Sequence, residues 1–334
     1  VQAKGFALSL RGFRGLSDVL PPGWRHNRFP MPAGPLMGLW AVMPFPSVDW
    51  WTGGADVVHG TNFVAPPTRR AATLVTVHDL TALRYPELCE PVTLQYPELV
   101  KVAVRRGAHV HTLSMAIARE VHDLLGVDES RLHVVRPGVP EVAPTPAGRG
   151  RRIAGCDRYV LAIGTIEPRK DFPTLVRAFD RLADEHDVDL VIAGASGWGA
   201  DAPHAALVAA RHRDRIRLLG PVSEMQRAAL LRDAAALAYP SVYEGFGLPP
   251  LEAMSVGVPV VATSSPAVAE VTADAAVLVH EGDVVGLAGG LSMVLGDEAE
   301  RQRLVRAGLD RADAFDRDLA IGAFVDLYRG IAGR

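Results

Sequence analysis

The chain has 334 residues, of which 49% are apolar and 22% charged, with a net charge of −3. This length allows two domains of ordinary size, and the composition is typical of a globular protein. So small a net charge provides no overall field that would attract nucleic acid. The two cysteines, Cys89 and Cys156, are too few for a disulfide framework. No apolar run reaches the roughly 20 residues that span a bilayer, so we expect a cytoplasmic protein.

Short β-branched runs alternate with helical stretches along most of the chain. This alternation predicts α/β domains whose parallel sheets carry helices on both faces. Strands are predicted at residues 56–59, 73–77, 109–113, 133–136, 159–164, 189–193, 216–219, 236–239, 259–263 and 276–279.

The domain organisation follows from one break in this pattern, the stretch Pro137–Arg152, which is rich in proline, glycine and arginine. We expect a first Rossmann-like domain at 1–140, a linker at 141–152, a second Rossmann-like domain at 153–315 and a C-terminal helix at 316–334. The opening residues VQAKGFALSLRGFRG read as a later strand and its loop. A doubly wound domain without its first strand exposes a central edge, so residues are expected to precede Val1.

Four of the five tryptophans, Trp24, Trp40, Trp50 and Trp51, lie in the segment Pro21–Gly54. We interpret its apolar helix, near Leu36–Val42, as core packing of a small domain. The alternative is peripheral docking on a membrane surface or on a lipid-linked acceptor.

Polar residues follow two predicted strands of the first domain. His78 and Asp79 come directly after 73–77, where His78 can donate a hydrogen bond to a hydroxyl or phosphate. Asp79 either orients His78 or caps the following turn. The strand end at 56–59 offers candidates for contact with an acceptor: His59, Thr61 and Asn62. Asp79 is a further acceptor candidate.

Other polar residues of the first domain are interpreted as structural. Ser114 begins Ser-Met-Ala-Ile and is interpreted as a helix N-cap. His109 and His111 share one strand with no carboxylate beside them, so no metal site is expected there.

The second domain opens with a strand, Gly164 and the turn Glu167-Pro168-Arg169-Lys170. Asp171 is expected to cap the helix that follows. Adjacent cations at a strand-to-helix turn can hold a diphosphate, and arginine can bind two oxygens at once. A solvated basic turn is the alternative. The later turn GASGWGA is too weak a signal for a dinucleotide, because no acidic residue follows the next strand.

Glu244 and Glu252 are separated by seven residues in the stretch SVYEGFGLPPLEAM. Glu244 lies on the loop after the strand at 236–239, and Glu252 lies in the first turn of the next helix. The loop amides and the helix amino end favour phosphate, and carboxylates favour hydroxyls. A nucleotide sugar carries both groups. The alternative for either glutamate is a favourable partner of the helix dipole.

The whole segment resembles the signature of the retaining glycosyltransferases of family four, which have the GT-B fold. Their motif is Glu, seven residues, Glu, with a Gly-Phe-Gly-Leu run between. The resemblance covers Tyr159 to about Val279 strongly and Asp56 to Gly138 moderately. It implies two Rossmann-like domains facing across a cleft, a C-terminal helix that crosses back, and no cofactor or metal. One departure is Thr165, because many members have arginine directly after the strand's glycine.

The resemblance also implies roles for individual residues. Catalysis is assigned to His78, Glu244, Arg169 and Lys170, with Lys170 neutralising the leaving diphosphate. Glu252 would accept hydrogen bonds from the ribose hydroxyls, and Leu218 and Tyr239 would line the base. The donor would also contact the backbone of Gly164, Gly245, Phe246, Gly247 and Leu248.

The function that we expect is transfer of a sugar from a UDP-, GDP- or TDP-linked donor to an acceptor hydroxyl. The acceptor would be a saccharide, a lipid-linked glycan or a natural product. The EPRK turn resembles that of bacterial mannosyl- and rhamnosyltransferases, which implies transfer of one of these sugars. Three alternatives stay open: a nucleotide-sugar epimerase, a phosphorylase and a non-catalytic nucleotide-sugar-binding protein.

Overall fold

Parallel strands joined by helices build both parts of the chain in a computed structural model, which describes residues 2–27 and 29–333. These residues divide into two compact units. The first takes the residues up to Pro86, Pro91–Arg136 and those from Ile321 onward, and the second takes Glu87–Glu90 and Pro137–Ala320. Within the described part of the chain, no helix combines the length and the apolar character needed to cross a membrane.

The first unit is built on a four-stranded parallel sheet with the order β3-β4-β5-β6, and β1 pairs with β2 separately. Its elements are β1 (Lys4–Gly5), α1 (Leu10–Arg14), α2 (Leu16–Val19), β2 (Arg25–His26), α3 (Ala33–Val42), α4 (Asp49–Thr52), β3 (Val57–Gly60), β4 (Ala72–Val77), α5 (Thr81–Arg84), α6 (Tyr96–Arg105), β5 (His109–Thr112), α7 (Met115–Leu125) and β6 (Leu132–Val134).

The second unit is built on a six-stranded parallel sheet with the order β12-β11-β10-β7-β8-β9. Its elements are α8 (Arg149–Ala154), β7 (Tyr159–Ile163), α9 (Phe172–Leu182), β8 (Asp189–Ala193), α10 (Asp201–Ala209), β9 (Ile216–Gly220), α11 (Glu224–Asp233), β10 (Ala236–Tyr239), α12 (Leu248–Ser255), β11 (Val260–Thr263), α13 (Pro266–Thr272), β12 (Ala276–Val279), α14 (Val284–Gly296) and α15 (Glu298–Asp313); helix α16 (Arg317–Ile331) follows.

The predicted α/β class is confirmed, and each predicted strand is present with bounds that differ by no more than two residues. Helix α9 illustrates why the pattern is readable. Its side chains Phe172, Leu175 and Phe179 recur at helical spacing and are buried in the core of the second unit. Asp171 caps this helix as predicted, since its carboxylate accepts a hydrogen bond from the Thr174 amide.

The strand order of the second unit fixes where a ligand can bind. Strands β7 and β10 are neighbours at the centre of the sheet, and the chain winds outward from them in opposite directions. In such doubly wound sheets the connecting loops separate at this point and leave a crevice beyond the carboxyl ends of the strands. The loops after β7 and β10 therefore flank the crevice.

Helix α3 packs inside the first unit. Leu36, Met37 and Trp40 are buried, and Leu36 and Trp40 form a small core with Val48 and other residues. The structure therefore supports the core-packing interpretation for these three side chains, whereas Val42 at the end of the helix is exposed.

The C-terminal helix α16 returns to the first unit, since its residues from Ile321 onward cluster there. The hydroxyl oxygen of Tyr328 lies 2.8 Å from Nδ1 of His59, and the Phe324 ring packs against the rings of His59 and His111. The other ring nitrogen of His59 lies 2.7 Å from the Thr76 hydroxyl, which lies 2.9 Å from Nδ1 of His111. Nε2 of His111 lies 3.0 Å from the Val135 carbonyl.

Only one set of proton positions satisfies this whole chain of hydrogen bonds with neutral rings. The Val135 carbonyl can only accept, so Nε2 of His111 carries a proton and Nδ1 accepts from Thr76. His59 must then donate through Nε2 to Thr76 and accept from the Tyr328 hydroxyl. Burial is the main cause that lowers the pKa of His59 to about 4 and that of His111 to about 4. Both rings are therefore neutral at physiological pH.

Replacing Thr76 should test this network, because its hydroxyl serves two buried rings. Thr76→Val is expected to lower the free energy of unfolding by about 2–3 kcal/mol, since both ring nitrogens lose a partner. Thr112→Val removes one buried hydrogen bond, from Thr112 to the Ser114 carbonyl, and should cost about 1 kcal/mol. Urea unfolding measures both, and Thr76→Ser should retain most of the stability. Equal losses of unfolding free energy for the two valine variants would contradict the double role of the Thr76 hydroxyl.

Candidate functional site

The turn after β7 and the loop after β10 bring three charged residues together beside the crevice. The turn holds Arg169 and Lys170, and the loop holds Glu244. The backbone joins the two segments, because the Val242 amide donates to the Arg169 carbonyl over 2.9 Å. Residues that are 74 positions apart in the sequence therefore share one site.

The Glu244 carboxylate lies between the two cations. Its Oε1 is 2.6 Å from Nζ of Lys170, and its Oε2 is 2.9 Å from a terminal nitrogen of Arg169. The side chains of Glu244 and Lys170 are only 11% and 12% exposed. The predicted trio is thus one buried ion cluster, in which each carboxylate oxygen faces a different cation.

Further contacts hold the two cations in place. Arg169 donates one hydrogen bond to the Tyr243 carbonyl over 2.9 Å and another to the Glu167 carboxylate over 2.8 Å. Lys170 donates to the Tyr239 hydroxyl over 3.2 Å and lies over the ring of Tyr239. Tyr239 is buried, so it supports Lys170 from beneath, in contrast to the expected contact with a base.

Gly164 leaves room for the stem of Lys170. A Cβ at Gly164 would lie 3.3 Å from Cε of Lys170, and the φ of Gly164 is +155°, a conformation that side chains disfavour. Gly194, on the neighbouring strand end, approaches even more closely, because its Cβ would lie 1.8 Å from the Gly164 carbonyl oxygen. Both glycines are therefore required for the tight entry into the turn.

The cations determine the charge of Glu244. Burial by itself raises the pKa of the Glu244 carboxyl, but Lys170 and Arg169 lower it more, to about 2. Glu244 is therefore ionised throughout the physiological range. Burial and the Glu244 charge raise the pKa of Tyr239 well above its usual value, so the tyrosine remains a neutral hydroxyl.

The run from Gly245 to Leu248 leads into helix α12. Gly247 is the N-cap, with a φ of +113° that favours glycine, and two prolines occupy the first turn. The Phe246 side chain is buried and packs edge-on against Phe315, with ring centres 5.7 Å apart. Phe246 could therefore contact a ligand only through its backbone. Pro249 and Pro250 carry no N–H, so the backbone donors that an anion could meet at this end of α12 are those of the run up to Leu248.

Glu252 lies in the second turn of α12 and not in the first turn as predicted, because the helix begins earlier, at Leu248, with Gly247 as its N-cap. It pairs with Arg227 of helix α11. Burial raises the pKa of Glu252, and Arg227 partly offsets this effect. Arg227 also contacts Glu224 over 2.7 Å, so it joins two carboxylates. Among the ion pairs of the described residues, Glu252 pairs with neither Arg169 nor Lys170, the two cations that contact Glu244. The two glutamates of the motif therefore lie in separate ion clusters.

Leu218 lies on β9, which is the edge strand beyond β8, and its side chain is 41% exposed. This places it two strands away from β7. The glycine-rich loop after β8 lies nearer, because Gly197 and Gly199 approach Thr165 and Pro168 so closely that a Cβ would clash. That loop therefore packs on the turn that carries the cations.

In the first unit, His78 donates through Nε2 to the Thr61 carbonyl over 2.8 Å, and its ring packs edge-on against Phe63. With this proton position fixed, Nδ1 of a neutral ring is an acceptor for a hydroxyl. Thr61 and Asn62 are exposed beside it. Asp79 accepts hydrogen bonds from both the amide and the hydroxyl of Thr81. It therefore caps the following turn, which is one of its two predicted roles.

His59 differs from the other acceptor candidates, because both of its ring nitrogens bind protein groups, Tyr328 and Thr76. Its position therefore favours a structural role. Ser114 is the N-cap of α7, as predicted, and accepts from the Ile117 amide. Among the described residues no group of three or more His, Cys, Asp or Glu side chains is arranged to hold a metal ion.

For three residues of the site, the sequence predicted either no role or a role that differs from the one in the structure. Glu167 was visible in the turn, but only its contact with Arg169 gives it a function. Tyr239 ends a strand, and its position beneath Lys170 depends on the pairing of β10 with β7. Arg227 lies on an ordinary charged helix. No sequence signal indicates its contact with Glu252, since that contact depends on how α11 and α12 pack.

Comparison with protein families identifies the class. Residues 8–142 match the family model described as "Glycosyltransferase Family 4", and residues 149–311 match "Glycosyl transferases group 1". The chain therefore belongs to the family 4 glycosyltransferases, which confirms the resemblance inferred from the motif.

Individual relatives agree with this assignment, and a solved structure shares the fold. The chain is 28% identical over 284 residues to O-antigen chain mannosyltransferase B of Escherichia coli, covering 82% of this chain and 74% of the relative. It is 27% identical to O-antigen chain mannosyltransferase RfbU of Salmonella typhimurium, covering 69% of this chain and 62% of the relative. The crystal structure of Anabaena HepE in complex with UDP-glucose aligns with a TM-score of 0.74 at 16% identity, covering 97% of this chain and 90% of HepE. The fold is that of GT-B glycosyltransferases.

Removing the Glu244 charge should change how stability depends on pH. A carboxyl with a depressed folded pKa contributes stability above its unfolded pKa of 4.5, and this stability is lost as pH falls towards about 2. Glu244→Gln should therefore cost roughly 3 kcal/mol at pH 7 in the ligand-free protein, with the difference shrinking below about pH 4.5. Urea unfolding of both proteins between about pH 7 and 3 measures this. A difference that is constant over the range would contradict the depressed pKa.

Proposed function

We propose that the protein is a retaining glycosyltransferase that moves a sugar from a nucleoside-diphosphate sugar to an acceptor hydroxyl without a metal ion. The observation that carries this proposal is the cluster of Lys170, Arg169 and Glu244 at the carboxyl ends of β7 and β10. Two fixed cations at a topological switch point suit a diphosphate, and the carboxylate between them suits the hydroxyls of an attached sugar.

The cations would act on the leaving group. As the glycosidic bond breaks, negative charge develops on the diphosphate, and fixed cations and amides directed at that charge are usually the largest catalytic contribution. Lys170 and Arg169 would supply the positive charge that a divalent ion supplies in other enzymes. The amides from Gly245 to Leu248 would add hydrogen-bond donors at the start of α12.

The carboxylates would bind the two ends of the donor. Glu252 would accept hydrogen bonds from the ribose, and Glu244 would hold the hydroxyls of the sugar and support positive charge near its ring. His78 would add a hydrogen bond to the sugar through its second ring nitrogen. Retention follows if the leaving phosphate itself deprotonates the acceptor hydroxyl on the face from which it departs.

The donor sugar is proposed to be mannose or a related hexose, because the two relatives described above are named mannosyltransferases. The crystal structure of HepE contains UDP-glucose, which supports a nucleotide-sugar donor for this fold. The base stays open among uridine, guanosine and thymidine. The acceptor would be a saccharide, a lipid-linked glycan or a natural product, and we place the reaction in the cytoplasm.

A donor screen tests the proposal directly. A true donor, present at about a hundred times its dissociation constant, should stabilise the protein by about 2.7 kcal/mol in thermal unfolding. Transfer to an acceptor or slow donor hydrolysis should accompany binding. Conversion of the free donor into another nucleotide sugar would indicate an epimerase. A visible pyridoxal chromophore would indicate a phosphorylase. Donor binding with no reaction would indicate a non-catalytic protein.

Lys170→Ala should reduce turnover by about two orders of magnitude or more, because the leaving diphosphate loses a fixed cation. The matched control is Lys101→Ala on helix α6 of the first unit, which should retain the wild-type rate. Single-turnover kinetics on folded proteins measures both rates. A Lys170→Ala enzyme with unchanged turnover would remove Lys170 from the mechanism.

The two glutamates of the motif should have separable effects on binding. Glu252→Ala is expected to weaken binding of both the nucleoside diphosphate and the nucleotide sugar by about tenfold, because both contain the ribose. Glu244→Gln should weaken only the nucleotide sugar, because the diphosphate alone has no sugar for it to hold. Isothermal titration with both ligands measures this, with Glu224→Ala as the control for loss of a carboxylate beside Arg227. Identical losses for both glutamate variants with both ligands would contradict the division of roles.

A further inference from the structure

Arg227 pairs with Glu252, yet the proposed reaction gives this arginine no task. Arg227 is the fourth residue of α11, and Glu252 is the fifth residue of α12. Each of these helices follows a strand of the parallel sheet, so each begins at the edge where the carboxyl ends of the strands lie. The pair therefore lies at the edge of the second unit that carries the crevice.

The position of Arg227 does not favour the helix that carries it. A cation within about one turn of a helix amino end is opposed by the helix dipole. The start of α11 is fixed by other residues, since Ser223 and Gln226 form a capping box there. Arg227 is therefore not needed to begin α11, and its contacts outside the helix are the better guide to its role.

The Arg227 guanidinium is held between two carboxylates. Its Nε and one terminal nitrogen lie 3.2 and 2.7 Å from Oε2 of Glu224, and its other terminal nitrogen contacts Oε2 of Glu252. The side chain of Glu224 is 85% exposed, whereas that of Glu252 is 7% exposed. Water screens the first pair, so the contact with Glu252 is the stronger of the two.

Arg227 uses only one oxygen of the Glu252 carboxylate. It contacts Oε2, and no residue in the described part of the chain forms a hydrogen bond with Oε1. A carboxylate that is held through one oxygen has a fixed orientation and keeps the other oxygen as an acceptor. That second oxygen suits a ligand hydroxyl, which needs an acceptor for its proton.

Arg227 also affects the charge of Glu252. Burial raises the pKa of the Glu252 carboxyl, and Arg227 lowers it through its charge and its hydrogen bond. The charge of Glu224 raises this pKa, and both groups that act on Glu252 lie on α11. Without Arg227 the effect of burial would be unopposed, so the carboxyl would take up a proton at a higher pH.

We propose that Arg227 is a positioning residue for the donor, which holds Oε2 of Glu252 so that Oε1 of the charged carboxylate accepts from the ribose. The inference rests on the proposed function, because it requires Glu252 to bind a nucleotide ribose. Arg227 itself makes no contact with the ligand in this arrangement and takes no part in bond breaking.

Nucleotide binding as a function of pH tests this role in the full chain. UDP, GDP and TDP are each titrated, and the nucleotide that binds the wild type most tightly is used with the variants. Arg227→Met replaces the guanidinium by an apolar side chain. The ratio of the variant's dissociation constant to the wild-type constant cancels the ionisation of the ligand. This ratio should be about tenfold larger at about pH 6 than at about pH 8, because a protonated carboxyl is the weaker acceptor.

Two further measurements separate positioning from a structural contact between α11 and α12. Pyrophosphate contains no ribose, so Arg227→Met should bind it as the wild type does over the same pH range. Glu252→Gln has no carboxyl to ionise, so adding Arg227→Met to it should change nucleotide binding by the same factor at each pH.

One variant should restore the wild-type behaviour, and another should not disturb it. Arg227→Lys retains a cation beside Glu252, so its ratio should be nearly independent of pH, and it serves as the test if Arg227→Met fails to fold. The matched control is Arg303→Met, which removes an arginine that lies 2.7 Å from a carboxylate three positions earlier, as Arg227 does. Arg303→Met should bind nucleotide as the wild type does, and thermal unfolding confirms that each variant is folded.

A folded Arg227→Met variant whose ratio is constant with pH would overturn the proposal, because Arg227 would then be structural or would bind the ligand itself. An equal loss of affinity for pyrophosphate would overturn it as well. Both results leave the proposed function in place, provided that the wild type binds a nucleotide. A wild-type protein that binds neither pyrophosphate nor any of the three nucleotides would contradict the proposed function, and the role of Arg227 with it.

Discussion

The buried contact between Glu244 and the cations Lys170 and Arg169 organises the second unit around its binding crevice. One carboxylate faces two cations, and this arrangement is possible only because β7 and β10 are neighbours in the sheet. Breaking such a pair leaves an uncompensated charge with little access to water, which is costly. In the ligand-free protein the carboxylate satisfies the positive groups, and a bound diphosphate would take over part of that role and leave Glu244 to the sugar.

The two glutamates of the motif illustrate how similar residues acquire different chemistry. Glu244 lies between two cations, which lower its pKa to about 2, whereas burial raises the pKa of Glu252 and one arginine only partly offsets that effect. Their neighbours come from different elements, the turn after β7 and helix α11. This difference is the reason that we propose distinct roles for them, Glu244 at the sugar and Glu252 at the ribose.

The first unit uses its polar residues differently. His59, Thr76, His111 and Tyr328 satisfy one another in the interior and attach the C-terminal helix to the sheet. His78, one strand end away from His59, has its ring partly exposed and one nitrogen committed to a carbonyl. Two histidines at the ends of neighbouring strands, His59 within β3 and His78 directly after β4, therefore serve separate purposes. His59 docks a helix, and His78 is a candidate for contact with substrate.

The sequence by itself determined the α/β class, the position of the strands, the caps at Ser114 and Asp171, and the place of Glu244 on the loop after β10. These features are local, because hydrophobic spacing, capping residues and glycine or proline act within a few positions of the chain. Only the tertiary structure decided that Tyr239 supports Lys170, that Arg227 pairs with Glu252, and that His59 binds Tyr328 across 269 positions. Such contacts depend on which strands pair and which helices pack together, and no local pattern of residues encodes those choices.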